Sequence, residues 1–262
     1  MVPQATFDDD PVLQSISVDA RDTLFVSDYN DGVFAIPKDS EQPMAVGPPG
    51  PTGSSVRSGG ADGAANVYAA YGWESGVVAK LSPDGRTADL PFDALTGPEM
   101  VVNNRGAVVV VDYIDGETPR YQFYDPTSQT VTVLSIPGVQ DGISLYLDDN
   151  DAIYGIDALA GRVVKIVQTD ATPVTVTAID LDDPHAITVD RDGAVYIAGL
   201  AGGEPAISVY TPGAVEAIHL PTEGLNKPAD IAVDSIGSVY VIDELPAENG
   251  EIVQYRIVKM TR

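Results

Sequence analysis

At 262 residues with 44% hydrophobic content, the chain is long enough to bury a sizeable core as a single domain spanning 1–262, and its lack of cysteine excludes disulfides, thiolate catalysis and Cys-based zinc binding. Its formal charge of −25, from 39 acidic against 14 basic residues, repels phosphate backbones and anionic lipid headgroups, which excludes nucleic acid as a partner. The first twenty residues carry no signal-peptide pattern and the longest aliphatic run is "AVVVV" at 107–111, so the chain reads as a soluble monomer without membrane insertion, either cytoplasmic as it stands or a piece of an exported or membrane-anchored parent.

In chain order, "VPQATFDDDP" leads into "SISVD", a strand of period 2, and after a polar turn into a second strand, "TLFVSD". A third strand, "GVFAI", follows, and then "GPPGPTG" at 47–53, a stiff loop rather than collagen. The same phrase then recurs with "NVYAAY", "AVVVVD", "AIYGID", "AVYIAG" and "SVYVID" as second strands, and "MVVN", "SLYLD", "AITVD" and "DIAVD" as first strands. The mid-points of the second strands, Phe25, Tyr68, Val109, Tyr154, Tyr196 and Tyr240, are separated by 43, 41, 45, 42 and 44 residues. Fourth strands follow, as in "TVTVLSI" and "VTVTAID", and no long stretch keeps helical spacing.

Six such units predict an all-β fold, a six-bladed β-propeller of four-stranded antiparallel blades. The last unit ends soon after its third strand, and "VPQATFDDDP" mirrors "VTAIDLDDP", the segment before the fifth unit. Residues 2–7 are therefore expected to pair with the last blade and close the ring. The second unit departs most from the repeat: "SSVRSGGADGAANVYAAY" has Arg57 where the other units carry Asp or Asn.

A four-stranded meander brings the connector into its first strand and the loop between its second and third strands to one end. The connectors place Gln14 and Ser15, Ser54 and Ser55, Glu99, Asp141, His185 and Asp230 around one mouth of the central channel, with the fourth unit's alignment open by two residues at Asp141. The loops add Tyr29, Tyr71, Trp73 and Tyr113 farther out, with Trp73 in "YGWESG" as an aromatic anchor. The candidate ligand-binding set is Gln14, Glu99, His185, Asp230, Tyr29, Trp73 and Tyr113. Glu99, Asp141, His185 and Asp230 also form a candidate site for a divalent cation, calcium or zinc, although polar side chains at a wet channel mouth need only solvent and backbone partners. His219, in "AIHLP", falls on an outer strand and reads as structural. Asp28, Asp112, Asp157 and Asp243 close second strands at matching positions, which points to turn hydrogen bonding.

With Pro ahead of the first strand and Val-x-Asp at its end, the pattern resembles the NHL repeat, whose members are commonly six-bladed propellers. "LPFDALTGPEMVV" and "LPTEGLNKPADIAVDSIGSVYVID" are similar to phrases in the extracellular sensor domains of actinobacterial receptor Ser/Thr kinases. A looser resemblance to gluconolactonase-like propellers implies one axial cation held by acidic and amide side chains, with "QDGIS" at 140–144 similar to their Asn-Gly phrase. The favoured expectation is a sensor-type module that binds a small molecule or a protein at the channel mouth. The alternative is a cation-dependent lactonase or lyase at the same mouth, in which a metal polarises a carbonyl and His185 or a carboxylate moves the proton.

Overall fold

A computed structural model of the chain describes residues 11–52, 54–72, 76–93, 95, 98–114, 118–134, 136, 142–167, 170–214, 216–246 and 254–260. These residues form strands and loops, with no helix among them. Blade 1 comprises β1 (Leu13–Val18), β2 (Leu24–Asp28), β3 (Gly32–Ile36) and β4 (Met44–Ala45), and blade 2 comprises β5 (Ser55–Ala61), β6 (Val67–Gly72), β7 (Val77–Leu81) and β8 (Thr87–Asp89). Blade 3 is built from β9 (Glu99–Val102), β10 (Val108–Ile114), β11 (Thr118–Asp125) and β12 (Thr130–Leu134). In blade 4 the strands are β13 (Gly142–Leu147), β14 (Ala152–Asp157), β15 (Arg162–Val167) and β16 (Asp170–Ala178). Blade 5 contains β17 (Asp183–Val189), β18 (Val195–Ala201), β19 (Glu204–Tyr210) and β20 (Ile218–His219). Blade 6 shows β21 (Pro228–Val233), β22 (Val239–Leu245) and β23 (Gln254–Met260) among the described residues. The predicted pairing of residues 2–7 with β23 lies outside the described residues.

The fold is a six-bladed β-propeller of antiparallel meanders. Each second strand is sandwiched between the neighbouring blades, so both of its faces are apolar and alternation is lost: Ala107–Val110 is wholly buried, and Ala152–Asp157 is buried throughout. The core is divided accordingly into six layers, one per seam. Tyr154, Ile156 and Val163 of blade 4 meet Ile187, Val189 and Ile197 of blade 5. At the closing seam, Ile16, Val26 and Ile36 of blade 1 meet Ala232, Tyr240 and Ile242 of blade 6.

Every turn between a blade's first and second strands is built around one acceptor. Asp19, Asp62, Asn103, Asp148, Asp190 and Asp234 each take the backbone N–H groups two and four residues on at 2.8–3.1 Å. Asp62 shows that the second unit keeps this rule. Arg57 therefore does not replace a turn aspartate; it belongs to the inner strand.

The aspartates ending the second strands are buried and structural. Asp28 accepts from Val12, Asn30 and Asp31 N–H at 2.8–2.9 Å, as turn bonding predicts. Asp112, Asp157 and Asp243 instead pair across the strand with Arg120, Arg162 and Arg256 at 3.2, 3.0 and 2.7 Å, and Asp243 also accepts from Asn226 and Lys227 N–H. Tyr71, expected in a loop, lies in β6 with its ring buried; its hydroxyl donates to the Pro48 carbonyl, and burial pushes its pKa up to about 12. Residues 48–50 of the preceding loop pack on that ring, where a Cβ on Gly50 would collide with it.

Each of the six turns has a left-handed residue three positions after its acceptor. Gly106, Gly193 and Gly237 fill it in three turns, whereas blade 2 uses Ala65 at φ 63°. A Cβ is disfavoured there, so Ala65→Gly is expected to raise the unfolding free energy by about 1 kcal/mol, read from the shift of a urea midpoint at constant slope.

Candidate functional site

In five blades the inner strand carries a β-bulge at its mouth end, where two residues oppose one on the second strand. Bulges re-aim side chains and recur beside binding sites. Here they create two tiers of side chains. The upper tier holds the bulge residues Gln14, Arg57 and His185. The lower tier, one residue on, holds Ser15, Ser58, Glu99, Ser144, Ala186 and Asp230, by their matching positions opposite the second strands.

The lower tier fastens blade to blade. Ser15 Oγ accepts from Gly59 N of blade 2 at 3.2 Å, Ser58 Oγ from Met100 N of blade 3 at 2.8 Å, and Ser144 Oγ from Ile187 N of blade 5 at 3.3 Å. Asp230 Oδ2 accepts from Ile16 N of blade 1 at 2.7 Å. In blade 5 the position is Ala186, which has nothing to offer Ile231 N; Asp230 Oδ1 accepts from that group at 2.8 Å. One carboxylate thus satisfies two inner-strand amides. Glu99 is the exception, since no hydrogen bond from its carboxylate is found among the described residues.

His185 is also committed. Its Nδ1 donates to the Pro228 carbonyl at 2.7 Å, and its Nε2 lies 3.1 Å from Asp183 Oδ2. With Nδ1 donating, Nε2 pairs with Asp183 when the ring is protonated and carries a lone pair when it is neutral. Asp141 and Trp73 lie outside the described residues. Tyr29 follows β2, tied by its backbone to Val12 and Val56 and outside the channel lining, and Tyr113 falls in β10 opposite Pro119. Among the described residues no group of three or more His, Asp or Glu side chains is placed to hold a metal ion.

Below the mouth runs an axial well of about 390 Å³. Gln14, Arg57, Glu99, His185 and Asp230 rim it, and Asn104 and Asp149 reach its base. At the base, Asn104 Oδ1 accepts from Ala20 N of blade 1 at 3.2 Å, spanning from blade 3 past blade 2, and Asn104 also bonds Asp149 of blade 4. Tyr146 lines the lower wall; burial first, and then the carboxylates of Asp149 and Asp148, push its hydroxyl pKa up.

The rim carboxyls are perturbed. Burial pushes Asp230 up to about 7, against the two backbone N–H bonds that favour its charged form, and the Glu99 carboxylate pushes in the same direction. Burial also raises Glu99, opposed by the Arg57 guanidinium. Water reaches Glu99 through the well although protein surrounds the group on most sides, and that enclosure by protein is what raises it.

A Ser–His–Asp grouping occurs on the outer part of blade 5. Ser208 Oγ donates to Asp180 Oδ1 at 2.8 Å and lies 3.3 Å from His219 Nδ1, while Tyr210 OH donates to the same carboxylate oxygen at 2.6 Å. Ser208 is fully buried and its proton goes to the carboxylate rather than to the imidazole, so the cluster is structural.

The fold and site define a six-bladed propeller with an axial polar-rimmed well. No family model matches the chain, and no curated protein matches it. Its fold is similar to that of catalytically inactive virginiamycin B lyase from Staphylococcus aureus with quinupristin, at 14% identity over 96% of this chain and 86% of that one (TM-score 0.64). It is likewise similar to a streptogramin B lyase, at 14% identity over 98% and 97% of the two chains (TM-score 0.63), and to selenomethionine-substituted virginiamycin B lyase from Staphylococcus aureus, at 14% over 99% and 86% (TM-score 0.63). This likeness extends to the fold. Among the described residues no helix is long and apolar enough to cross a membrane.

The Asp230 shift has a definite sign. The folded state holds a proton up to about pH 7, whereas the unfolded carboxyl, near its ordinary 3.8, has already released it. The contribution of Asp230 to stability therefore falls as pH rises from about 4 to about 7 and is level above that. Asp230→Ser places the side chain of three other blades at this seam without the carboxyl. Its destabilisation is expected to be larger at pH 5 than at pH 8, by on the order of 2 kcal/mol after allowance for partial access to water. Urea unfolding of both proteins at the two pH values checks this; a difference independent of pH contradicts it.

Proposed function

We propose that the protein is a binding propeller whose axial well takes a small organic ligand through its mouth, with no bond broken. The observation that supports this reading is a division among the polar residues of the rim. Ser15, Ser58, Ser144, His185 and Asp230 are spent on holding neighbouring strands together. Gln14, Arg57 and Glu99 have no hydrogen-bond or ion-pair partner among the described residues, although they rim the same well. These three are half-buried or exposed at the mouth, and polar groups that converge on a cavity without protein partners are the ones a ligand completes. In keeping with the resemblance to NHL sensor domains, occupancy of the well is the signal that such a module reports. A metal ion is not needed for this reading, since the open groups include a cation, Arg57.

The enzyme reading is favoured by one observation, the raised carboxyl of Glu99 in a well whose fold is shared with lyases. In that reading Glu99 or His185 carries the proton, with the Nδ1 bond to the Pro228 carbonyl orienting the His185 ring.

Two variants test the binding reading. Glu99→Ser introduces at the seam of blades 3 and 4 the hydroxyl that fastens three other seams. It is expected to raise the melting temperature by a few degrees, about 1 kcal/mol for one hydrogen bond, while ligand binding is lost. Ser17→Phe fills the well from its wall. A set of small polar fragments is expected to raise the melting temperature of the wild type and not of Ser17→Phe. Fragments that stabilise both equally place binding elsewhere, and a Glu99→Ser variant that melts lower shows Glu99 to be structural.

A further inference from the structure

The chemistry of the ligand follows from the two open charges, and this step rests on the binding reading above. Arg57 and Glu99 stand on adjacent blades at successive tiers of the rim, close enough for the guanidinium to lower the carboxyl's pKa against burial. No ion pair closes between them among the described residues. Elsewhere the protein closes such pairs: Arg162 on Asp157 at 3.0 Å and Arg256 on Asp243 at 2.7 Å. The rim thus keeps a positive and a negative group side by side and unjoined. Beneath them the wall carries apolar side chains, with Val18, Val102, Leu145 and Val233 half-buried along the cavity.

A ligand with one charge pairs with one of these groups and leaves the other to water, giving up half of the charge complementarity that the rim offers. An anion would also have to approach a protein of formal charge −25. A molecule without net charge that presents a carboxylate and an ammonium on the same carbon meets neither penalty. The planar guanidinium takes a carboxylate through two parallel N–H bonds, and the Glu99 carboxylate takes a compact ammonium. A well of about 390 Å³ sits near the lower end of small-molecule sites and has room for one modest apolar side chain below these groups.

We propose that the well binds a small zwitterion, an α-amino acid with an apolar side chain, its carboxylate on Arg57, its ammonium on Glu99 and its side chain against Val102 and Leu145.

The experiment is calorimetric titration of the full chain with three probes sharing one skeleton: L-leucine, 4-methylpentanoate, which lacks the ammonium, and 3-methylbutylamine, which lacks the carboxylate. L-leucine is expected to bind, and each singly charged probe to bind at least about tenfold more weakly. Arg57→Gln and Glu99→Gln are each expected to weaken L-leucine at least about tenfold, with melting curves in the absence of ligand close to wild type. Gln14→Ala, which removes an uncharged rim group, serves as the comparison and is expected to have a smaller effect. Binding of either singly charged probe as tight as that of L-leucine overturns the proposal, as does L-leucine affinity unchanged in Arg57→Gln. Failure of all three probes overturns it as well. Fragments that nevertheless stabilise the wild type and not Ser17→Phe then leave the binding reading standing, whereas their failure removes both.

Discussion

A ring of blades needs one seam that the chain order does not provide, and here two aspartates fasten it. Asp230 Oδ2 accepts from Ile16 N across 214 residues of sequence at the mouth, and Asp22 at the base accepts from both the N–H and the hydroxyl of Ser235. Burial drives Asp22 up, but the Lys38 ammonium and the two Ser235 bonds outweigh it and hold its pKa below the ordinary carboxylate range. The two ends of the seam therefore respond to acid in opposite directions. Protonation at the mouth accompanies a more stable fold, whereas protonation at the base removes an ion pair and two hydrogen bonds. The apolar layer between them, with Ile16 and Val26 against Tyr240 and Ile242, gives both carboxylates their fixed geometry.

The site emerges by subtraction from this scaffold. A repeat offers the same position six times, and most blades use it for the same purpose, a side-chain acceptor for the next blade's amide. The departures carry the information. Ala186 surrenders the acceptor and Asp230 covers for it, so that pair is explained structurally. Glu99 replaces a serine with a longer, charged side chain and makes no such bond, which sacrifices a seam contact without local compensation. Breaking a local rule with nothing gained nearby is what functional positions do.

The fold was legible in the sequence because each second strand is buried on both faces. Phe25, Tyr68, Val109, Tyr154, Tyr196 and Tyr240 occupy one register, opposite Ser17, Gly60, Val101, Tyr146, Thr188 and Ala232. The site was only partly legible. Gln14, Glu99, His185 and Asp230 do meet at the well. The structural counterpart of Ser15, however, is Ser58 rather than Ser54 or Ser55 in blade 2, and Ser144 in blade 4, and the bulges set which neighbouring side chain rises to the mouth. Nothing in local propensity marks a bulge in these strands. Arg57 was visible as the one basic residue breaking the pattern, yet a one-dimensional alignment set it against the turn aspartates. The engagement of His185 was beyond reach for another reason: its partner, the Pro228 carbonyl, lies 43 residues away on the next blade and is a backbone group that any residue would supply.

The bridge at the base has a consequence for kinetics. Asn104 ties the turns of blades 1, 3 and 4 together across the axis, and Gly63 N of blade 2 bonds its carbonyl. On the binding reading proposed above, those bonds obstruct that end of the axis, so an occupant would enter and leave by the mouth and the water it displaces would depart the same way. Residence time is then set at the rim rather than by the depth of the well. Anything that settles over the rim acts as a stopper, slowing arrival and departure by the same factor while leaving the equilibrium between bound and free untouched.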